Sequence, residues 1–155
     1  MIKKIVQLGF LLIFLNNCGY TPIYSQKGQG FQINNIETFG ELKVNRFLYN
    51  KFKVYRNNPN AAGSLNLKID SKLNKAVIAK DKKGNPTQFS IRLFVSIETT
   101  DSLNNKSESN FSENITYDNS DNKFDLRKYE DNLIKNMTEK IFSEIILFIQ
   151  SKNLT

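Results

Sequence analysis

Residues 65–97, LNLKIDSKLNKAVIAKDKKGNPTQFSIRLFVSI, decide the fold. Leu65, Leu67, Ile69, Leu73 and Val77 alternate with Asn66, Lys68, Asp70, Lys72 and Asn74, the period of two that sends one set of side chains to a core and the other to water. The run reads as one long strand, or as two joined at a bulge near Ser71. Asp81-Lys82-Lys83-Gly84-Asn85-Pro86 is a turn by composition. Beyond it Phe89, Ile91, Leu93, Val95 and Ile97 alternate with Ser90, Arg92, Ser96 and Glu98. The two runs predict a hairpin with one buried face and one wet face.

Upstream, Phe31 and Ile33 mark a short strand over 31–37. Between 41 and 56 the period changes: Val44, Phe47, Leu48, Phe52 and Tyr55 recur at three and four residues, the stripe of an amphipathic helix. Asn57-Asn58-Pro59-Asn60 stops it, because proline disfavours helical geometry in its predecessor and has no N–H to donate. Downstream, the polar tract 99–107 leads to Phe111, Ile115 and Tyr117, a weaker strand. Leu126, Tyr129, Leu133, Met137, Ile141, Ile145 and Phe148 then predict a long helix from about 125 to 151, with Asp125 in the first turn complementing the helix dipole. The order is βαβββα. Each element has one apolar face, and the economical packing is an α+β two-layer sandwich, a four-stranded, mainly antiparallel sheet with both helices on one face and a polar face opposite.

Composition supports one such domain over 31–155. Leu, Ile, Val and Phe make up 48 of 155 residues, enough for a core, and the length leaves no room for a second domain. There is no His and a single Cys, which removes the usual neutral-pH base, Cys-rich zinc sites and internal disulfides. No cofactor, metal or catalytic residue is expected, and the chain reads as a non-enzyme. The net charge of +7 is weak testimony for a nucleic-acid partner, because 18 of the 22 basic residues are Lys and Asn occurs 21 times, a joint enrichment that A/T-rich coding produces by itself.

The opening, MIKKIVQLGFLLIFLNNC, has two lysines, an apolar run over 5–15 and then the Cys. This is the layout of a secretory signal, and eleven apolar residues are too few for a membrane span, which needs about 20. The position of Cys18 resembles the acceptor of a bacterial lipoprotein signal, although Asn16 and Asn17 stand where small residues are usual. Residues 1–17 are then the signal peptide, Cys18 carries covalent lipid, and residues 18–30 form a tether. Several acyl chains on one residue hold a protein stably where one would be marginal. Gly19, where an Asp would favour retention at the inner membrane, suits delivery to the outer membrane with the domain on the periplasmic side.

Lys75, Lys80, Lys82 and Lys83 cluster in sequence around the hairpin tip and are candidates for phosphate groups of an anionic glycolipid, against the plainer reading of a solvated hairpin end. Glu98 with Asp101, and Asp118 with Asp121, read as loop acids, since nothing apolar nearby would raise one of each pair into a general acid. Aromatics next to basic residues over 47–56 read as core at helical spacing, and no nucleic-acid partner is expected.

Cys18-Gly19-Tyr20-Thr21-Pro22-Ile23-Tyr24, followed by the βαβββα order, resembles the LptE family, the lipopolysaccharide-assembly lipoproteins also called rare lipoprotein B. The resemblance covers seven residues by motif and most of the chain by architecture. It implies a plug inside an LptD-type outer-membrane β-barrel, assisting barrel assembly and lipopolysaccharide insertion into the outer leaflet, with lipopolysaccharide itself a further partner. A competing reading is an auxiliary lipoprotein of an envelope ABC-type lipid-transport system. Replacing Cys18 by Ala is expected to abolish incorporation of labelled fatty acid and to release the domain from membranes; a labelled mutant would remove the anchor.

Overall fold

The computed structural model describes residues 30–58, 61 and 63–152. Cys18, the signal sequence and the tether up to residue 29 lie outside them. Strand β1 (Phe31–Gly40) is followed by helix α1 (Leu42–Phe52) with a closing 3-10 turn (Lys53–Tyr55), then β2 (Gly63–Lys80), β3 (Pro86–Asp101), β4 (Lys106–Asp118) and helix α2 (Lys123–Lys152). The sheet order is β1-β2-β3-β4. β2, β3 and β4 are antiparallel neighbours, while β1 runs parallel to β2, so the sheet is mixed. A parallel pair cannot be closed by a tight turn and needs a crossover, which α1 supplies.

β2 is a single strand, with its pairing to β3 unbroken through Ser71. The irregularity placed near Ser71 from sequence lies instead between Val77 and Lys80, beside the tip. At about 3.3 Å per residue, 18 residues carry the chain nearly 60 Å, and this length sets the long axis of the molecule. One end, the entry end, holds the starts of β1 and β2 and the turn joining β3 to β4. The other, the tip end, holds the turn joining β2 to β3 and the start of α2. β1 pairs only with the first half of β2, up to Gly40 opposite Ser71.

The core follows the alternation. Leu65, Leu67 and Ile69 of β2 and Ile91, Leu93, Val95 and Ile97 of β3 are buried together with Val44, Leu48 and Phe52 of α1 and Ile141, Ile145 and Ile149 of α2. Each such side chain contributes roughly 1.5–3 kcal/mol by leaving water. Phe52 meets Phe142 edge to face at 4.9 Å between ring centroids, joining the helices over the sheet. Lys43 pairs with Asp131, and Lys51 pairs with Glu139 at 2.6 Å. Eight residues separate the bridge positions on each helix, so α1 and α2 run side by side in the same direction and both end at the entry end. The opposite sheet face is largely polar, with Phe39 and Phe94 among the exposed apolar side chains.

Two differences from the sequence reading, the starts of β4 and of the last helix, have local causes. β4 begins at Lys106, five residues before Phe111, because its polar start pairs residue by residue with the end of β3. α2 begins at Lys123, where the Asn122 Oδ1 accepts the backbone N–H groups of Phe124 and Asp125 and its amide donates to Asp125 Oδ2 at 2.6 Å, a side-chain cap. The turns 81–85 and 101–105 are the same device twice. In each, the Asp side chain accepts two backbone N–H groups and the amide of an Asn four residues on, at 2.8–2.9 Å. Gly84 and Asn104 take the left-handed conformation that the bulged hairpin turn requires.

The turn from β1 into α1 is held against the middle of β2. Asn45 and Ser71 are buried; Ser71 Oγ donates to Asn45 Oδ1 at 2.7 Å, and Asn45 Nδ2 donates to the Phe39 carbonyl at 2.8 Å. The Glu41 N–H donates to the Ser71 carbonyl, also at 3.1 Å from Ser71 Oγ. Gly40, at φ +91°, lies so close that a Cβ there would sit 2.0 Å from the Ser71 carbonyl oxygen. Asn45→Ala, which removes the close acceptor of the buried Ser71 hydroxyl and the side-chain donor to the Phe39 carbonyl, is expected to cost about 2 kcal/mol in urea unfolding. Ser71→Ala in the same background should add much less than it does alone. Full additivity would show that the two side chains act separately.

Candidate functional site

The tip end is built by the 81–85 turn. Asp81 anchors it, and the Asn85 side-chain amide, then the Asn85 backbone N–H, hold the Asp81 carboxyl below its usual range. With the acid committed to the loop, Lys80, Lys82 and Lys83 remain exposed, and among the described residues none of them has an ion-pair partner. Three ammonium groups on a turn of fixed backbone form a compact point-charge cluster, able to meet phosphate oxygens without bidentate geometry. Asp118, at the adjoining end of β4, is occupied by Gln88 at 2.8 Å.

Lys75 does not belong to this cluster. It lies five residues before Lys80 on β2, opposite Ile91, and so on the helix-bearing face. Its Nζ pairs with Glu130 of α2 at 2.5 Å and stands 4.4 Å from the centre of the Phe89 ring. The same Glu130 accepts the Tyr117 hydroxyl at 2.7 Å. Phe89 stacks on Tyr117 at 5.6 Å, and Tyr129 meets Tyr117 edge to face at 6.0 Å. Burial, and then the hydrogen bond to Glu130, push the Tyr117 hydroxyl far above its ordinary range. It is a fixed donor at every physiological pH, and the group is a packing cluster that fastens the first turns of α2 to the distal half of the hairpin.

The expected loop acids behave as structural groups. Asp101 repeats the role of Asp81, held low by Asn105. Glu98 is not in a loop but on the polar sheet face, where the hydrogen bond from Lys106 lowers its carboxyl. Among the described residues no group of three or more His, Cys, Asp or Glu stands together as a metal site. No helix among them is long and apolar enough to cross a membrane. Asn45 went unnoticed in the sequence, and Ser71 stood out only as the place of a bulge; the signal was a small polar residue at an inward position of an otherwise apolar strand face.

These positions predict opposite responses to truncation. Lys75→Ala is expected to lower stability by about 1 kcal/mol, since half-exposed ion pairs are weak but this one also covers an aromatic ring. Lys80, Lys82 and Lys83 changed together to Ala should stay within about 0.5 kcal/mol of the parent in urea midpoints. Equal losses would make the tip a structural element as well.

Neither a family model nor a curated protein sequence matches the chain. Solved structures do. Rare lipoprotein B from Shewanella oneidensis aligns with a TM-score of 0.60 at 12% identity, over 78% of this chain and 97% of that one. A minor lipoprotein from Acinetobacter baumannii aligns at 0.58 and 14% identity, over 78% and 91%. Lipoprotein B from Nitrosomonas europaea gives 0.51 and 14%, over 83% and 86%. The two-layer α+β sandwich expected from alternation and helical stripe, with the mixed sheet and parallel helices that the structure adds, is thus the fold of rare lipoprotein B.

Proposed function

We propose that the chain is an outer-membrane lipoprotein of the LptE type, lipidated at Cys18, that works without catalysis as the plug and assembly partner of an LptD-type β-barrel inserting lipopolysaccharide into the outer leaflet. The observation that carries this reading is the conjunction of a lipoprotein-like start, Cys18-Gly19-Tyr20-Thr21-Pro22-Ile23-Tyr24, with a domain whose fold is that of rare lipoprotein B nearly end to end. Neither would suffice alone, because the motif is short and the fold match is at 12% identity.

The physical character of the domain agrees with the role. The lumen of a large barrel is polar and wet, so a plug must present polar surfaces outward while keeping its own core closed. The helix-free sheet face does so with Asn66, Asp70, Asn74, Arg92, Ser96, Asn110 and Asn114. Rigidity comes from the hairpin, and the tip cluster Lys80, Lys82 and Lys83 is the place where phosphorylated glycolipid would be met. Lys75 has no part in this, being committed to Glu130.

Affinity capture from envelopes is the test. The chain is expected to bring down one large outer-membrane barrel in near one-to-one ratio, and the triple variant Lys80→Ala, Lys82→Ala, Lys83→Ala should keep that barrel while losing most bound lipopolysaccharide. Recovery of an ABC permease or periplasmic lipid carriers without a barrel would replace the proposal with the auxiliary-transport reading. Retention of lipopolysaccharide by the variant would return the tip to ordinary solvated surface.

A further inference from the structure

The entry end carries a second cationic feature. A shallow recess of about 500 Å³ opens beside the start of β1, lined by Gln32, Asn34, Lys53, Arg56 and Asn57, with no acid among them. Its backbone is pinned. Tyr55 stacks on Phe31 at 5.0 Å with the rings 9° from parallel, Asn58 Nδ2 donates to the Phe31 carbonyl at 3.3 Å, and Arg56 Nη2 donates to that of Asn34 at 3.4 Å. Lys53 has no ion-pair partner among the described residues, and Arg56 keeps most of its guanidinium donors free of carboxylates. Between these cations Val54 is 67% exposed, and across the same end Leu103 at the 101–105 turn is 79% exposed.

The chain enters the domain at this recess. Residues 18–30 run directly into Phe31, so Cys18 can be at most about 45 Å from it along an extended chain. A tether of that length does not orient a body nearly 60 Å long; something on the body must. We propose that the entry end rests on the membrane that holds the anchor, with Lys53 and Arg56 receiving phosphodiester groups of anionic phospholipids and Val54 touching the interfacial layer. The inference deepens the anchored-lipoprotein reading and rests on it. Both helices end here, and their exposed carbonyls would by themselves repel phosphate, so cations are needed at this end before an anionic surface is tolerated. Juxtamembrane Lys and Arg next to an apolar side chain are the chemistry that such a surface attracts. Its consequence is directional: Lys80, Lys82 and Lys83, at the other end of β2, are then held far from that surface.

The test uses the full lipidated protein reconstituted in vesicles of phosphatidylcholine alone and of phosphatidylcholine with phosphatidylglycerol. A fluorophore is placed by Val54→Cys or, as a control, by Lys82→Cys, and quenching by headgroup-labelled nitroxide lipid is read. The label at position 54 should be quenched in the anionic vesicles and relieved by salt, and the label at 82 should not. Lys53→Gln with Arg56→Gln should lower the docked-to-undocked ratio by about tenfold while the melting temperature stays near that of the parent. Vesicle-bound protein whose label at 54 is no more quenched than that at 82 overturns the inference and leaves the anchor intact. Undiminished quenching in the double variant also overturns it. Protein that fails to stay on the vesicles removes the anchor and the inference together.

Discussion

The architecture depends on one close approach, that of Gly40 to Ser71. A parallel strand at the edge of an otherwise antiparallel sheet has no hairpin to fix its register, and register decides which side chains are buried. Here it is fixed at one point: the chain leaves β1 through a residue without a side chain, pressed against the β2 backbone, and the next turn is locked by Asn45 reaching back to the Phe39 carbonyl and across to Ser71. Shifting β1 by one residue would break these contacts and turn Phe31 and Ile33 out of the core. The same lock starts α1 at the midpoint of β2, so the helix returns along the proximal half only.

That starting point divides the molecule. In the proximal half, two helices cover four strands, and the core is mainly aliphatic, with Phe31, Phe52 and Phe142 buried in it. In the distal half, only the first turns of α2 cover three strands, and the cover is aromatic, with Phe89, Tyr117 and Tyr129 gathered around the Lys75–Glu130 pair. A long hairpin standing beyond its main core would be marginal in water unless packed against a helix. The distal cluster supplies that packing, and so the tip is presented on a supported arm.

Much of this was legible in the sequence because periodicity reports burial. The alternation from Leu65 to Ile97 and the stripe from Leu126 to Phe148 fixed element type, order and the helix-bearing face. What stayed hidden depends on partners distant in the chain. Lys75 reads as one of four lysines near a turn; its phase with Leu73 and Val77 sets it on the face of Ile91, but only the packing of α2 reveals the Glu130 that holds it there. Ser71 looked like a defect in the apolar series and is instead the buried acceptor of the α1 turn. β4 begins in a tract with no apolar residue, where pairing with β3 alone makes a strand. The lipid anchor, by contrast, is wholly a sequence inference, since Cys18 lies outside the described residues.

The basic charge acquires meaning only by position. Among the described residues several lysines are spent on acids that fasten elements together: Lys43 and Lys51 join the helices, Lys75 and Lys140 tie α2 to the sheet, and Lys106 meets Glu98 across β3 and β4. Exposed pairs of this kind add little stability, but they disfavour wrong placements of the helices, because sliding α2 by one turn would bring like charges or empty surface opposite each lysine. Asp81 and Asp101 are taken up by the two turns, Asp118 by Gln88 and Asp125 by Asn122. With the acids so committed, a compositional surplus of lysine emerges where no acid is free to pair with it, and the recess beside Phe31, which no acid lines, and the turn after Lys80, whose Asp81 is held by the loop itself, are two such places, one at each end of β2. A protein that merely accumulated lysine through its coding bias would still have this doubly cationic outline, and selection would need only to keep the acids at the two ends tied into their turns and strand pairs to turn bias into binding surface.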